Sequence, residues 1–293
     1  MTISVGIAGW SYDDWKGIVY PGTCKDTLRF CAEYVDLLEI NSTFYRVPEA
    51  KQCASWVART RDLPVVFTAK VPQEFTHAGR SDAGLVAATR AGFAPLAESG
   101  KLRILLMQFS YAFAHGEGAL DHLRRLVEAF ADVAPLALEV RHKSWELPAG
   151  REALQALPVS VVNLDYPGAS SGFGLRVTGC NGPQNLAYFR LHGRNRAAWF
   201  QKGAGRDQVY DWEYSAPEVA ELAQRAVEIA RQATQTFVVA NNHFHGKAMK
   251  LVLELLAFLQ ARPVAVPRLL AARYPSLQAI ATRGADPFPP ARQ

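Results

Sequence analysis

The chain has 293 residues, 49% hydrophobic and 20% charged, which excludes a disordered polymer and allows one or two domains with a sizeable core. Its 21 glycines and 17 prolines exclude collagen-like and low-complexity classes. With 32 Lys and Arg against 27 Asp and Glu, the net charge of +5 tolerates anionic partners without forming the dense basic blocks of a nucleic-acid-binding tail.

The N-terminus, MTISVGIAGW, has no basic stretch leading into a long apolar run, and no 18 consecutive apolar residues occur anywhere, so a cytoplasmic protein without a membrane partner is expected. Cys24, Cys31, Cys53 and Cys180 form no C-x-x-C pair and no zinc-knuckle spacing, which points to buried free thiols. Eight short apolar runs follow one another along the chain, at residues 4–8, 37–41, 65–70, 103–109, 136–141, 159–165, 186–192 and 237–242. Most are followed by a loop and then by apolar residues three and four apart, the pattern of parallel strands joined by helical crossovers. Leu120, Leu123, Val127 and Phe130 make such a stripe after the fourth run. The fifth and sixth crossovers are weaker, and the stretch from Tyr166 to Gln184 is Gly- and Ser-rich without helical period. After the seventh run, Ser215-x-x-Glu218 is a capping box with Pro217 in the first turn. Ala248, Leu251, Val252, Leu255, Leu256 and Leu259 form the last stripe.

Eight such units fit an α/β fold of the (β/α)8 TIM-barrel type over residues 1–261, with an irregular sixth crossover and a Pro-rich extension, 262–293, packed outside the same domain. A doubly wound open sheet normally carries a Gly-rich phosphate turn after its first strand; here that place holds the aromatic loop Gly9-Trp10-Ser11-Tyr12. No Walker A or G-x-S-x-G sequence occurs.

In a TIM barrel the active site lies at the carboxyl ends of the strands, so polar residues that end the apolar runs are the candidates. They are Glu39 and Asn41, Lys70, Gln108, Glu139 and Arg141, Asp165, Arg190 and His192, and Asn241 with Asn242. Alternation along a strand puts Glu39 with Asn41, Glu139 with Arg141, and Arg190 with His192 on shared faces, all expected to point into the barrel mouth. These charges either form a neutralising salt-bridge layer or serve a site. His142 belongs to the loop beyond Arg141, and His77 to the loop after the third strand. Glu139, Asp165 and His192 resemble a metal set, but a fourth carboxylate is missing and Arg141 and Arg190 oppose a cation, so neither a metal nor another cofactor is expected. The loop after the seventh strand interleaves Arg194, Arg196, Lys202 and Arg206 with Trp199, Phe200, Tyr210, Trp212 and Tyr214, suited either to nucleotides and nucleic-acid strands or to fixing the loop on the barrel rim. The first loop, with Trp10, Tyr12, Trp15 and Tyr20, carries the same two readings, and the stretch from Asn241 to Lys247 opens a helix whose free N–H groups suit an anion.

The motifs GIAGWSYDDWKGIVYP, LEINSTFYRVP, FTAKVPQEFTH, LEVRHKSW, FRLHGRN and NNHFHGKA, in this order, resemble the YecE-like family, domain of unknown function 72. The resemblance extends to about Leu259 and implies a TIM barrel without a settled activity. It implies as recurring positions most of the strand-end residues above, with Trp10, Tyr12, Trp15, Phe44, Tyr45 and His77, and with His142, Trp145 and Gly193.

Together these features lead to an expected enzyme, a hydrolase, isomerase or lyase, that binds a small phosphorylated or carboxylate substrate. Lys70, Arg141 and Arg190 would neutralise the anion, Glu139 or Asp165 would act as base and His192 as acid. Trp10, Tyr12, Glu39, Asn41, His77, Gln108, His142, Arg194, Asn241 and Asn242 would complete the binding surface. The alternatives are a nucleic-acid-associated protein, metal-dependent or RNA-binding, and a noncatalytic adaptor.

Overall fold

The structure is a computed structural model that describes residues 2–167 and 184–282. Nine parallel strand segments make one sheet: β1 (Thr2–Ala8), β2 (Leu37–Ile40), β3 (Val66–Lys70), β4 (Leu102–Gln108), β5 (Leu136–Glu139), β6 (Ser160–Val161), β7 (Asn163–Asp165), β8 (Leu186–Leu191) and β9 (Gln235–Ala240). Their order is β6-β5-β4-β3-β2-β1-β9-β8-β7. Because β6 and β7 are consecutive, with only Val162 between them, the two ends of the ladder are one stave and the sheet returns on itself as a TIM-like barrel. Across that seam Val162 donates its N–H to Leu138 O at 2.9 Å, and Ser160 Oγ donates to Leu186 O at 2.5 Å. The expected run 159–165 is therefore a stave in two pieces, one paired with β5 and the other with β8.

Side chains alternate between the lumen and the outer shell. Ile104, Leu106, Leu164, Phe237 and Val239 pack inside, while Ile7, Leu38, Leu105, Leu138, Phe189 and Val238 face the helices. Burial on both faces explains the near-continuous apolar runs. Two residues further along several strands the lumen turns ionic: Leu37 is followed by Glu39, Ala137 by Glu139, and Tyr188 by Arg190.

The capping box forms, Glu218 accepting from the Ser215 N–H at 2.8 Å, and starts the helix Ala216–Ala230, which buries Val219, Leu222, Ala223 and Ala226. The stripes after the fourth and last runs become the helices Glu117–Phe130 and Lys247–Gln260. The fifth crossover is a 3-10 turn, Lys143–Glu146, and a short helix, Pro148–Gln155. The expected irregular sixth crossover falls mainly on 168–183, outside the described residues. Of the extension, a helix (Arg268–Arg273) and a turn (Pro275–Ala279) cover the barrel's outer side. There Leu270 and Leu277 are buried, and Tyr274 donates to His245 O at 2.9 Å. Residues 283–293 are not among those described. Cys24, Cys31 and Cys53 are free thiols, but only Cys31 and Cys53 are buried, Cys24 lying half-buried near the surface, and burial pushes Cys53 up to about 12; Cys180 lies outside the described residues. No helix among the described residues is long and apolar enough to cross a membrane.

Candidate functional site

At the carboxyl ends of the strands, Arg190 spans the lumen. Its Nη2 and Nε donate to Glu39 Oε1 and Oε2 on β2, at 2.6 and 3.0 Å, and its Nη1 donates to Glu139 Oε2 on β5 at 2.5 Å. Glu39 also accepts from Tyr188 Oη at 2.8 Å, and that hydroxyl lies 2.7 Å from Thr68 Oγ1. Glu139 Oε1 accepts from Arg141 Nε at 2.8 Å and from Gln108 Nε2 at 2.9 Å. Arg190, Glu39 and Glu139 are fully buried, so these are desolvated, multiply hydrogen-bonded ion pairs. Burial alone would raise Glu139, but the Arg190 and Arg141 guanidinium groups hold its carboxyl well below the usual range.

His192 is also fully buried, with Asn241 Nδ2 at 3.1 Å from its Nδ1 and Arg190 Nη1 at 3.4 Å from its Nε2. Burial, then Arg190, drives it well below its ordinary value, so at neutral pH it is an uncharged imidazole. Trp199 and Tyr210 cover it, each ring centroid 6.0 Å away. Arg141 lies under Tyr111, Tyr166 and Trp199, at 5.2, 5.9 and 6.0 Å from their centroids, with Trp199 Nε1 donating to Tyr111 Oη at 2.9 Å. The aromatic loop after β8 thus forms a canopy over one half of the mouth.

The other half is open. A cleft of about 550 Å³ lies over the ends of β1, β2, β3 and β9, with Trp10, Tyr12, Tyr45 and Trp56 in its walls and Asn41, Lys70 and Asn241 among its polar lining. Tyr12 stacks on His243 at 4.6 Å and 9° and donates to Ala8 O at 2.5 Å. Arg59, at the rim, is paired with Asp26. Lys70 is 8% exposed, and its Nζ lies 3.9 Å from Glu39 Oε1, beyond hydrogen-bond reach. Burial, then Arg190, lowers its ammonium to about 8 against the pull of Glu39.

A family model described as protein of unknown function DUF72 matches residues 4–276. The chain belongs to this family. Two solved DUF72 structures agree: one from Thermotoga maritima MSB8, 30% identical with a TM-score of 0.75 over 89% of this chain and 100% of that one, and one from Enterococcus faecalis V583, 26% identical with a TM-score of 0.76 over 88% and 96%. A D-tagatose 3-epimerase-like protein, 13% identical with a TM-score of 0.51 over 88% and 98%, shares the fold. No protein of curated function matches the chain.

Within this DUF72 barrel several expected positions need correction. Asp165 pairs in register with Leu191, and its neighbour Leu164 with Arg190. Since Arg190 faces the lumen, Asp165 faces the helices. There it binds Arg194 Nη2 at 2.8 Å and accepts from Tyr214 Oη at 2.7 Å, so it is absent from the mouth, and Arg194 follows it to the outer side. Asn242, next to the lumen-facing Asn241, turns outward, donates to Trp212 O at 2.9 Å and does not line the cleft. His142 caps the turn at Lys143–Glu146 by accepting from Ser144 N. His77 is exposed, its ring edge-on to Phe44 at 5.1 Å, and is not in the cleft lining. Glu39, Glu139, Arg141, Gln108, Arg190 and His192 gather in the lumen beside and beneath the cleft rather than lining it. Glu139 as a base and His192 as an acid are both opposed by the directions of their shifts.

Other expectations resolve at the rim. Backbone N–H donors before the last helix were expected to hold an anion, but His245 N donates at 2.6 Å to Asp14, whose carboxylate occupies that position, and Lys247 pairs with Asp211. Of the basic aromatic loop, Phe200 is exposed, whereas Tyr214 is buried and Trp199 and Tyr210 turn to the mouth. Trp15 and Trp145 are buried and donate to His243 O and Phe113 O, both at 2.7 Å. Among the described residues no three His, Cys, Asp or Glu come together as a metal set. The sequence reading missed Tyr188 and Thr68; each lies two residues before a strand-end candidate and so shares its lumen face.

Proposed function

We propose that the protein is an enzyme acting on a small anionic metabolite held in the cleft beside Lys70. One observation carries this. With Asp165 outside, Lys70, Arg141 and Arg190 face only Glu39 and Glu139 in the ring, a net charge of +1 with His192 neutral. Arg141 and Arg190 are spent on their carboxylates, so the uncompensated charge resides on Lys70, at the cleft floor. A low-dielectric wall behind a cation strengthens its pull on a carboxylate or phosphate. Asn41 and Asn241 supply neutral hydrogen bonds to the rest of the ligand, and the aromatic walls supply apolar faces.

Proton transfer in this reading falls to groups other than Glu139. Lys70, partly unprotonated near neutral pH, is the group able to accept a proton, while His192, held well below its ordinary value, stays beside it as a neutral hydrogen-bonding imidazole. Hydrolysis, isomerisation and lyase chemistry all remain open to such a pair.

The test is calorimetry and thermal shift with inorganic phosphate, glycerol 3-phosphate and malonate. At least one should bind and stabilise the wild type. Lys70→Met should weaken it by about 1.5–3 kcal/mol, roughly 10- to 150-fold in Kd, the value of a hydrogen bond to a charged group. Binding by none of them, or equal binding by the variant, refutes the anion site. Affinity that falls steeply with salt for oligonucleotides instead would mark a phosphate-tracking interface.

A further inference from the structure

Lys70 stands apart from the other buried cations. Arg190 bridges the carboxylates of Glu39 and Glu139, Arg141 is hydrogen-bonded to Glu139, and Lys250 is held by Glu254 at 2.8 Å. Among the described residues the Lys70 amine has no hydrogen-bond partner; Glu39 Oε1 is 3.9 Å away and the Phe44 ring centroid 5.5 Å away. Its backbone is nevertheless anchored, for it ends β3 and its own main-chain carbonyl accepts from Thr43 Oγ1 at 2.7 Å, and its side chain is largely buried. A largely buried amine on an anchored backbone, with an uncommitted nitrogen facing a cavity, is disposed for bond formation. For charge alone an arginine would do better, since it never gives up its proton.

Resting on the anion-site reading above, we infer that Lys70 forms an imine with the carbonyl carbon of a small aldehyde or ketone that carries a carboxylate or phosphate. The free-amine fraction this needs is present near neutral pH, because burial and Arg190 bring the ammonium to about 8. The nitrogen lone pair attacks the carbonyl carbon and the C=O π pair moves to oxygen. Both amine protons leave with that oxygen as one water, and C=N replaces C=O. Protonated from solvent, the iminium restores the positive charge of Lys70 beside Glu39, so the ring keeps its charge while the carbon acquires an electron sink. Trp10, Tyr45 and Trp56 leave room for the remaining chain of the ligand.

The test incubates the protein with dihydroxyacetone phosphate or pyruvate and sodium cyanoborohydride, whose hydride reduces the iminium to a stable secondary amine, followed by peptide mass mapping. Glycerol 3-phosphate, which has no carbonyl, is the binding control. Lys70 should be labelled at least about tenfold faster than the surface lysines at pH 7.5, given its larger free-amine fraction. The rate should rise with pH and level off above about 8. Lys70→Arg, which keeps the charge but has no amine to condense, should lose the adduct. The more reactive carbonyl probe tells whether a carboxylate or a phosphate is preferred. No adduct at Lys70, or equal labelling of many lysines, while glycerol 3-phosphate binds, overturns the imine and spares the anion site. Absence of binding by any probe overturns both.

Discussion

The shifts of His192, Glu139 and Lys70 all have the same consequence for stability. Each group binds its proton less readily in the folded chain than in the unfolded one. The unfolded state therefore takes up more protons wherever the two states differ, and stability rises with pH there. For Lys70 the window runs from about 8 to 10.5; for His192 it begins at 6.5 and extends downward; for Glu139 it begins at 4.5 and extends downward. Urea midpoints should fall as pH drops through 6.5, by up to about 1.4 kcal/mol of stability per pH unit from His192. In His192→Gln this first acid step should shrink to what His77 contributes, while the later one, to which Glu139 belongs, stays. A midpoint that is flat from pH 7 to 5 in the wild type would contradict a buried neutral imidazole. The residue types at the strand ends were legible as a charged ring, and the pairings within each strand followed from alternation. Which carboxylates stay in the ring was not: Val159, Val161, Val162 and Leu164 supply apolar side chains to both faces, so nothing in that run reveals where Asp165 points.

Among the elements, strands read most clearly because a parallel barrel buries both of their faces and leaves long apolar runs. Helix contacts read less clearly, since they depend on a partner distant in the chain. Gly92 shows why. It lies in the helix Ala83–Glu98, where propensity alone favours alanine by about 1 kcal/mol. Yet a Cβ built there would meet Pro48 O at 2.0 Å, a backbone atom of the segment leading into the helix Ala50–Arg59. Gly92→Ala should therefore destabilise, by about 1–3 kcal/mol, because overpacking against backbone cannot relax by a rotamer change. A thermal melt checks it, and an unchanged or raised midpoint would mean that the two helices are free to separate. The split of the sixth stave at Val162 was equally hidden, because its residues look like one continuous strand.

At the scale of the whole molecule, Arg190 joins three staves that are not neighbours in the sheet: its own, β8, and those of Glu39 and Glu139. Arg190→Met should cost about 3–5 kcal/mol, since it leaves the buried Glu39 without a hydrogen-bonded cation and takes one of two cations from Glu139. Replacing Glu39 and Glu139 by glutamine in the same chain should recover part of that loss. Denaturant titration measures both, and a single variant as stable as the wild type would show the ring to be wetter than its burial indicates. The ring also has a history in time. Glu39 and Arg190 are 151 residues apart in the chain, and Glu139 and Arg190 are 51 apart, so the brace is expected to form after most of the barrel. Loop closure over such spans comes late along the folding coordinate. The brace then acts as a latch on the finished tube: its loss would quicken opening and leave the rate of assembly nearly untouched.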